Sequence, residues 1–83
     1  MLCRIQTSQS PDGCTIHVIG RLTGAEVGEL LNVCAEASGH LRIDLADLLS
    51  TDPAGVEALR RLAADGAELI GMAQYLRYRL GPF

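Results

Sequence analysis

The chain has 83 residues, of which 48% are hydrophobic and 4% aromatic, so it allows one domain whose core is built mainly from aliphatic side chains. Its formal net charge is −3 and it contains no basic run. The chain therefore lacks the positive charge that would attract it to nucleic acids or to anionic membrane surfaces. Its apolar stretches are much shorter than a membrane span, so we expect no direct membrane insertion.

The first predicted elements are two strands joined by a tight turn. Residues 2–7 and 14–19 are rich in side chains that favour strands, and the Ser-Pro-Asp-Gly segment at 10–13 is a strong turn signal. Within the second strand, Cys14, Ile16 and Val18 share one face, and the residues that alternate with them share the other. The pattern predicts an antiparallel hairpin.

A helix is predicted over residues 24–37. Thr23 is a suitable N-cap, and Glu26 stands three residues later, as a capping box requires. Apolar side chains at i, i+3, i+4 and i+7 form the stripe expected on the buried side of such a helix. The stripe consists of Val27, Leu30, Leu31 and Cys34.

The next predicted elements are a short strand and a second helix. Residues 40–45 alternate apolar and charged side chains, and a polar loop over residues 46–51 follows them. The helix is expected to run from Pro53 to about residue 65, because proline suits the first helical position. Proline also favours extended backbone at Asp52, where the carboxylate can cap the helix.

The chain ends with a predicted apolar strand over residues 67–72 and a predicted helix over residues 74–80. The element order is therefore β-β-α-β-α-β-α. Strands separated by helices imply parallel neighbours, beside the one antiparallel hairpin. We expect an α/β fold: a single domain over residues 1–83, with a mixed four-stranded sheet and about three helices packed on it.

The side chains able to bind a metal or to act in catalysis are scattered along the sequence. Cys3, Cys14 and Cys34 are an odd number without a CxxC pair, which argues against disulfides and structural zinc. His17 has no acidic partner near it in sequence, and Asp44 is expected to bond the loop that follows it. We therefore predict no metal, no cofactor and no enzymatic activity, and a reducing cytoplasm as the compartment.

Three stretches make the chain resemble a STAS domain, the fold of bacterial anti-sigma factor antagonists and of the cytoplasmic tails of sulfate transporters. Residues 16–22 (IHVIGRL) are similar to the family's strand followed by Gly-x-Leu. Residues 41–56 are similar to its strand, loop and Asp-Ser-Ser-Gly-Leu helix start, and residues 66–71 to the strand that follows. The resemblance spans nearly the whole chain, although the C-terminus is shorter than is usual in the family.

The chain departs from the STAS pattern at the regulatory serine, which a partner kinase phosphorylates in the family. The position after the aspartate is Pro53 here, and the next serine position is Ala54. Neither residue has a hydroxyl group, so the usual phosphorylation switch cannot operate at this place. Ser50 and Thr51 are displaced alternatives, for which a solvated loop is the simpler interpretation.

The resemblance implies a partner-binding surface around the start of the second helix. Its predicted members come from the loop before the first helix, the segment before the second helix and the exposed side of that helix. They are Arg21, Thr23, Ser50, Thr51, Asp52, Pro53, Ala54, Gly55, Glu57 and Arg60. The simpler alternative is that this segment is only a well-capped helix start.

The resemblance implies a non-catalytic module that binds a protein such as an anti-sigma factor or a related kinase-like regulator of bacterial transcription. One alternative is a STAS-like subunit of a membrane transport or lipid-trafficking ATPase complex, which needs no phosphoserine. A small-molecule binder or enzyme is a third possibility, but the sequence indicates no pocket with convergent polar groups. A second copy of the chain is a further candidate partner, through a face with Tyr75 and Tyr78.

Overall fold

The predicted hairpin is present and is longer than the sequence pattern indicated. In the computed structural model, which describes residues 3–37 and 39–80, β1 (Cys3–Ser10) pairs antiparallel with β2 (Gly13–Leu22). Their register is unbroken from Cys3 opposite Gly20 to Ser10 opposite Gly13. In the turn, the Asp12 carboxylate accepts a hydrogen bond from the Ser10 hydroxyl at 2.7 Å.

Parallel strands extend the sheet on one side of the hairpin. β3 (His40–Asp44) pairs parallel with β2, and β5 (Glu68–Ile70) pairs parallel with β3, so the order is β1-β2-β3-β5. The helices are α1 (Gly24–Glu36), α2 (Pro53–Ala64) and α3 (Gln74–Leu80). The predicted α/β class, the mixed sheet and the three helices are thus confirmed.

The prediction of four strands is wrong, because the segment predicted as a loop over residues 46–51 contains β4 (Leu48–Thr51). β4 pairs parallel with the last residues of β2, beyond the part that β3 covers. Gly20 pairs with Cys3 on one side and with Leu48 on the other, so β4 lies on the side of β2 away from β1. The described part of the chain therefore forms a five-stranded sheet.

A single hydrophobic cluster joins one face of the sheet to all three helices. Ile16 and Ile43 from the sheet are fully buried against Leu30 of α1, Leu59 of α2 and Leu76 of α3. The residues that alternate with Ile16 along β2 are only half-buried. One face of the sheet therefore carries the core and the other faces solvent, as is common where antiparallel strands are present.

None of the helices in the described part of the chain has the length and apolar character needed to cross a bilayer.

Candidate partner-binding surface

Asp52 occupies a position between the first turns of two helices. One oxygen of its carboxylate, Oδ1, accepts a hydrogen bond from the Gly55 N–H of α2 at 2.8 Å. The other, Oδ2, accepts one from the Gly24 N–H, at the first residue of α1, at 2.9 Å. These two bonds, to Gly55 first and then to Gly24, lower the pKa of Asp52 because they favour the charged carboxylate. A single side chain thus caps α2, as predicted, and also ties α1 to it.

Beside this cap, Glu26 closes the start of α1. Its carboxylate accepts hydrogen bonds from the Thr23 hydroxyl at 2.7 Å and from the Thr23 N–H at 3.0 Å. Both bonds lower the pKa of Glu26, and the bond from the Thr23 hydroxyl has the larger effect. The predicted pairing of Thr23 with Glu26 is confirmed, and it fixes the loop that leads from β2 into α1.

Gly55 brings the start of α2 into close contact with the end of β2. A Cβ atom on Gly55 would overlap the Thr51 hydroxyl and would lie 3.0 Å from the Leu22 carbonyl oxygen. The same carbonyl accepts the Asp52 N–H at 3.1 Å. Only a residue without a side chain allows this approach, so glycine is required here by packing rather than by backbone angle.

Arg21 and Ser50 connect the two neighbouring strands at this end of the sheet. They are cross-strand partners, and the Arg21 Nε–H donates to the Ser50 Oγ at 3.2 Å. The Ser50 hydroxyl, considered in the sequence as a displaced phosphate acceptor, is therefore engaged within the protein.

Eight of the ten predicted surface residues lie at or next to the starts of α1 and α2, whereas Glu57 and Arg60 follow about one and about two turns further along α2, and the ten lie at different depths. Thr51 is only 6% exposed and Gly55 is buried, so these two shape the surface from beneath. Thr23, Ser50 and Asp52 are half-buried. The exposed members are Arg21, Pro53, Ala54, Glu57 and Arg60.

One exposed residue next to this surface was not predicted. The register between β2 and β4 shifts between Gly20 and Arg21, which makes Leu49 the extra residue of a β-bulge. Its side chain is 79% exposed, whereas the preceding Leu48 is buried. The Leu-Leu pair in sequence was the available signal, since adjacent residues of a strand cannot normally both face the core.

A second polar arrangement lies on the solvent-facing side of the sheet. His17 Nδ1 lies 3.3 Å from Asp44 Oδ2, because β2 and β3 pair these residues in parallel register. The acidic partner of His17 is thus distant in sequence and is brought beside it by the strand register. Asp44 also accepts the Ala46 N–H at 2.9 Å, as predicted for the loop after this strand. In the described ranges, no three His, Cys, Asp or Glu side chains are placed to hold a metal ion.

Comparison with known proteins finds similarity at the level of structure. No family model and no curated protein matches the chain. The crystal structure of an antisigma-factor antagonist, a STAS domain from Rhodobacter sphaeroides, superposes with a TM-score of 0.65 at 27% sequence identity, covering 86% of this chain and 88% of that one.

A second solved structure supports the fold alone. It is an uncharacterized DUF3478-family protein with a SpoIIAA-like fold from Shewanella loihica, with a TM-score of 0.56 at 16% identity, covering 93% of this chain and 72% of that one. The chain thus has the STAS-type, SpoIIAA-like fold that the sequence resemblance predicted.

Proposed function

We propose that this chain is a non-catalytic protein-binding module of the anti-sigma-factor-antagonist type, and that it binds its partner through the surface at the start of α2. The observation that carries the proposal is the Asp52 carboxylate, which joins the starts of α1 and α2 into one surface. The likeness to an antisigma-factor antagonist supports the class of function.

The shape and chemistry of this surface suit a protein partner. Ala54 and Gly24 lie close together, since the Ala54 Cβ is 3.5 Å from where a Cβ on Gly24 would be. Together with the exposed Pro53, they make a low, weakly polar centre without long side chains. Charged residues surround this centre, and Leu49 offers an apolar side chain beside it. An apolar centre with a polar rim is the usual anatomy of a protein–protein interface.

Binding through this surface would not be controlled by phosphoserine. Pro53 and Ala54 have no hydroxyl group, Thr51 is buried, and the Ser50 hydroxyl is held by Arg21. In family members, a phosphate at the helix start would add roughly two negative charges at the interface. We infer that this chain binds its partner constitutively. The amount of complex is then controlled by how much of the chain is expressed, or by competition for the partner.

The partner we expect is an anti-sigma factor or a related kinase-like regulator of transcription in the bacterial cytoplasm. The missing serine is equally compatible with a subunit of a membrane transport or lipid-trafficking ATPase complex. Affinity capture from the source organism, followed by mass spectrometry, separates the two. Recovery of an ATP-binding cassette subunit without a sigma-pathway protein would decide for the transport complex.

The binding surface is tested with two exposed alanines. Ala54 lies in the first turn of α2, whereas Ala35 lies in the last turn of α1, at the end away from this surface. Ala54→Arg should weaken binding of the captured partner by about tenfold or more, because it places a long charged side chain in the centre of the interface. Ala35→Arg adds the same side chain away from the surface and should leave affinity within about twofold.

Titration calorimetry measures both affinities, and thermal unfolding checks that each variant is folded. Unchanged binding by folded Ala54→Arg, or an equal loss in both variants, would contradict the proposed surface.

A further inference from the structure

The helices α1 and α2 end side by side, at the end of the molecule away from the partner-binding surface. α1 ends at Glu36 and α2 ends at Ala64. A groove of about 410 Å³ lies between these two helix ends and the first residues of β3 and β5. Small-molecule sites have volumes of roughly 300–1,000 Å³, so the groove is large enough for a small organic ligand.

The lining of this groove is mainly apolar, and includes Leu31, Cys34, Leu41 and Leu62. Cys34 and Leu62 belong to the buried core, whereas Leu31 and Leu41 are only half-buried and pack against it. An apolar ligand in the groove would remove the exposed parts of these two leucines from water, which favours binding.

The electrostatics at this end of the molecule favour a positive charge. The C-terminal end of a helix carries the partial negative charge of its peptide dipoles, and two such ends meet at the groove. Asp65, directly after α2, lines the groove and is exposed. None of the hydrogen bonds and ion pairs among the described residues uses its carboxylate. A cation in the groove would therefore pair with Asp65 without displacing another described side chain.

The basic side chains near the groove do not cancel this negative charge. The last turn of α1 contains no basic residue, and Arg61, in the last turn of α2, is not among the residues that line the groove. His40 lines it, but His40 Nε2 lies 2.8 Å from Glu68 Oε1, so that carboxylate balances a proton on the ring. Arg42, on β3, is paired with Asp12 at 2.7 Å.

We propose that this groove binds a small organic cation, in which an apolar body carries one ammonium group. The apolar body contacts Leu31 and Leu41, and the ammonium group lies beside Asp65. The groove and the partner-binding surface lie at opposite ends of α1 and α2, so this site does not depend on the function proposed above.

Three compounds with the same ring test the preference for positive charge: cyclohexylamine, cyclohexanol and cyclohexanecarboxylate. The ammonium group of cyclohexylamine is charged at neutral pH, as that of lysine is. In an NMR titration of the isotope-labelled chain, the amine should give saturable shifts of the amide signals of Leu31, Leu41 and Ala67, which line the groove. It should bind about two- to fivefold more tightly than the alcohol, and the carboxylate should bind more weakly than both.

Three results of this titration would overturn the proposal. They are the absence of saturable shifts with cyclohexylamine, shifts centred elsewhere on the chain, and equal affinities for the amine and the carboxylate.

Substitution of Asp65 tests the ion pair. Asp65→Asn should weaken binding of cyclohexylamine about two- to fivefold and leave that of cyclohexanol unchanged, because the alcohol carries no charge. Asp65→Lys reverses the charge, so it should bind the carboxylate at least as tightly as the amine. The NMR spectrum of each variant shows directly whether it is folded.

Glu29 provides the matched control, since it is an exposed acidic residue of α1 that does not line the groove. Glu29→Gln and Glu29→Lys should leave the affinity for cyclohexylamine within about twofold. Equal losses in the Asp65 and Glu29 variants, or an unchanged preference for the amine in Asp65→Lys, would refute the proposed cation site.

Discussion

At the scale of single residues, Gly55 is a position of the partner-binding surface where an added methyl group has no room. Gly55→Ala should lower the free energy of unfolding by about 1–3 kcal/mol, because its Cβ would press on Thr51 and on the backbone of β2. Gly28 is the control, since a Cβ there meets nothing within 4 Å. Gly28→Ala should raise stability by up to about 1 kcal/mol, because alanine favours a helix. Urea unfolding compares the two, and similar changes in both would contradict the packing explanation.

Asp52 makes stability depend on pH. Its folded-state pKa is lowered by the Gly55 and Gly24 amides, so its contribution is present above the unfolded pKa and is lost as pH falls through the folded one. The pKa values of Asp12 and Glu26 are also lowered, so these residues change the stability in the same direction. Asp52→Asn cannot ionise, so its free energy of unfolding should fall less steeply than that of the wild type between pH of about 5 and about 2. Urea titrations across that range measure the slopes, and equal slopes would contradict this role.

Local chemistry made several of these residues predictable. The caps at Thr23 and Asp52 depend on neighbours within a few positions, so sequence alone indicated them. The second bond of Asp52, to Gly24, depends on how two distant helix starts meet. The His17–Asp44 pair likewise follows from the register of two parallel strands, which no local pattern specifies.

At the scale of elements, β4 shows why a strand can be missed. Its four residues, LLST, do not alternate regularly, because the bulge places Leu49 outward directly after the buried Leu48. The strand is stabilised by pairing with the end of β2, which is distant from it in sequence. The predicted helices were found to within a residue or so because their caps and apolar stripes are local.

The start of α2 is the element at which regulation can be tested by substitution. Pro53→Ser supplies a hydroxyl at the family's serine position and keeps the Asp52 cap, at a cost of about 0.4–1 kcal/mol from the lost proline ring. With ATP and the kinase of the identified partner, the wild type should remain unmodified and Pro53→Ser should gain phosphate. Mass spectrometry measures both.

Pro53→Ala is the matched control, since it also loses the ring but gains no hydroxyl. Stoichiometric phosphate on Ser50 or Thr51 of the wild type would contradict constitutive binding.

At the scale of the whole molecule, the buried cysteines report opening of the core. Cys14 is fully buried, and burial raises the pKa of Cys34 to about 11, so roughly one Cys34 thiol in ten thousand is ionised at neutral pH. A thiol reagent should label the native wild type slowly, at a rate set by unfolding, and rapidly in denaturant. Ala64→Cys adds an exposed thiol and should react at once. Fast labelling of Cys34 in the native protein would show that the core opens far more readily than this packing implies.

The bridge made by Asp52 also determines the form in which the proposed binding surface exists. The residues around it come from the end of β2, the start of α1 and the start of α2, and the carboxylate bonds to Gly24 and Gly55 hold them together. The proposed recognition epitope is therefore discontinuous. A synthetic peptide covering Leu48 to Arg60 would contain Pro53 and Ala54 but would lack the α1 half, so inhibitors that imitate this surface need the folded domain.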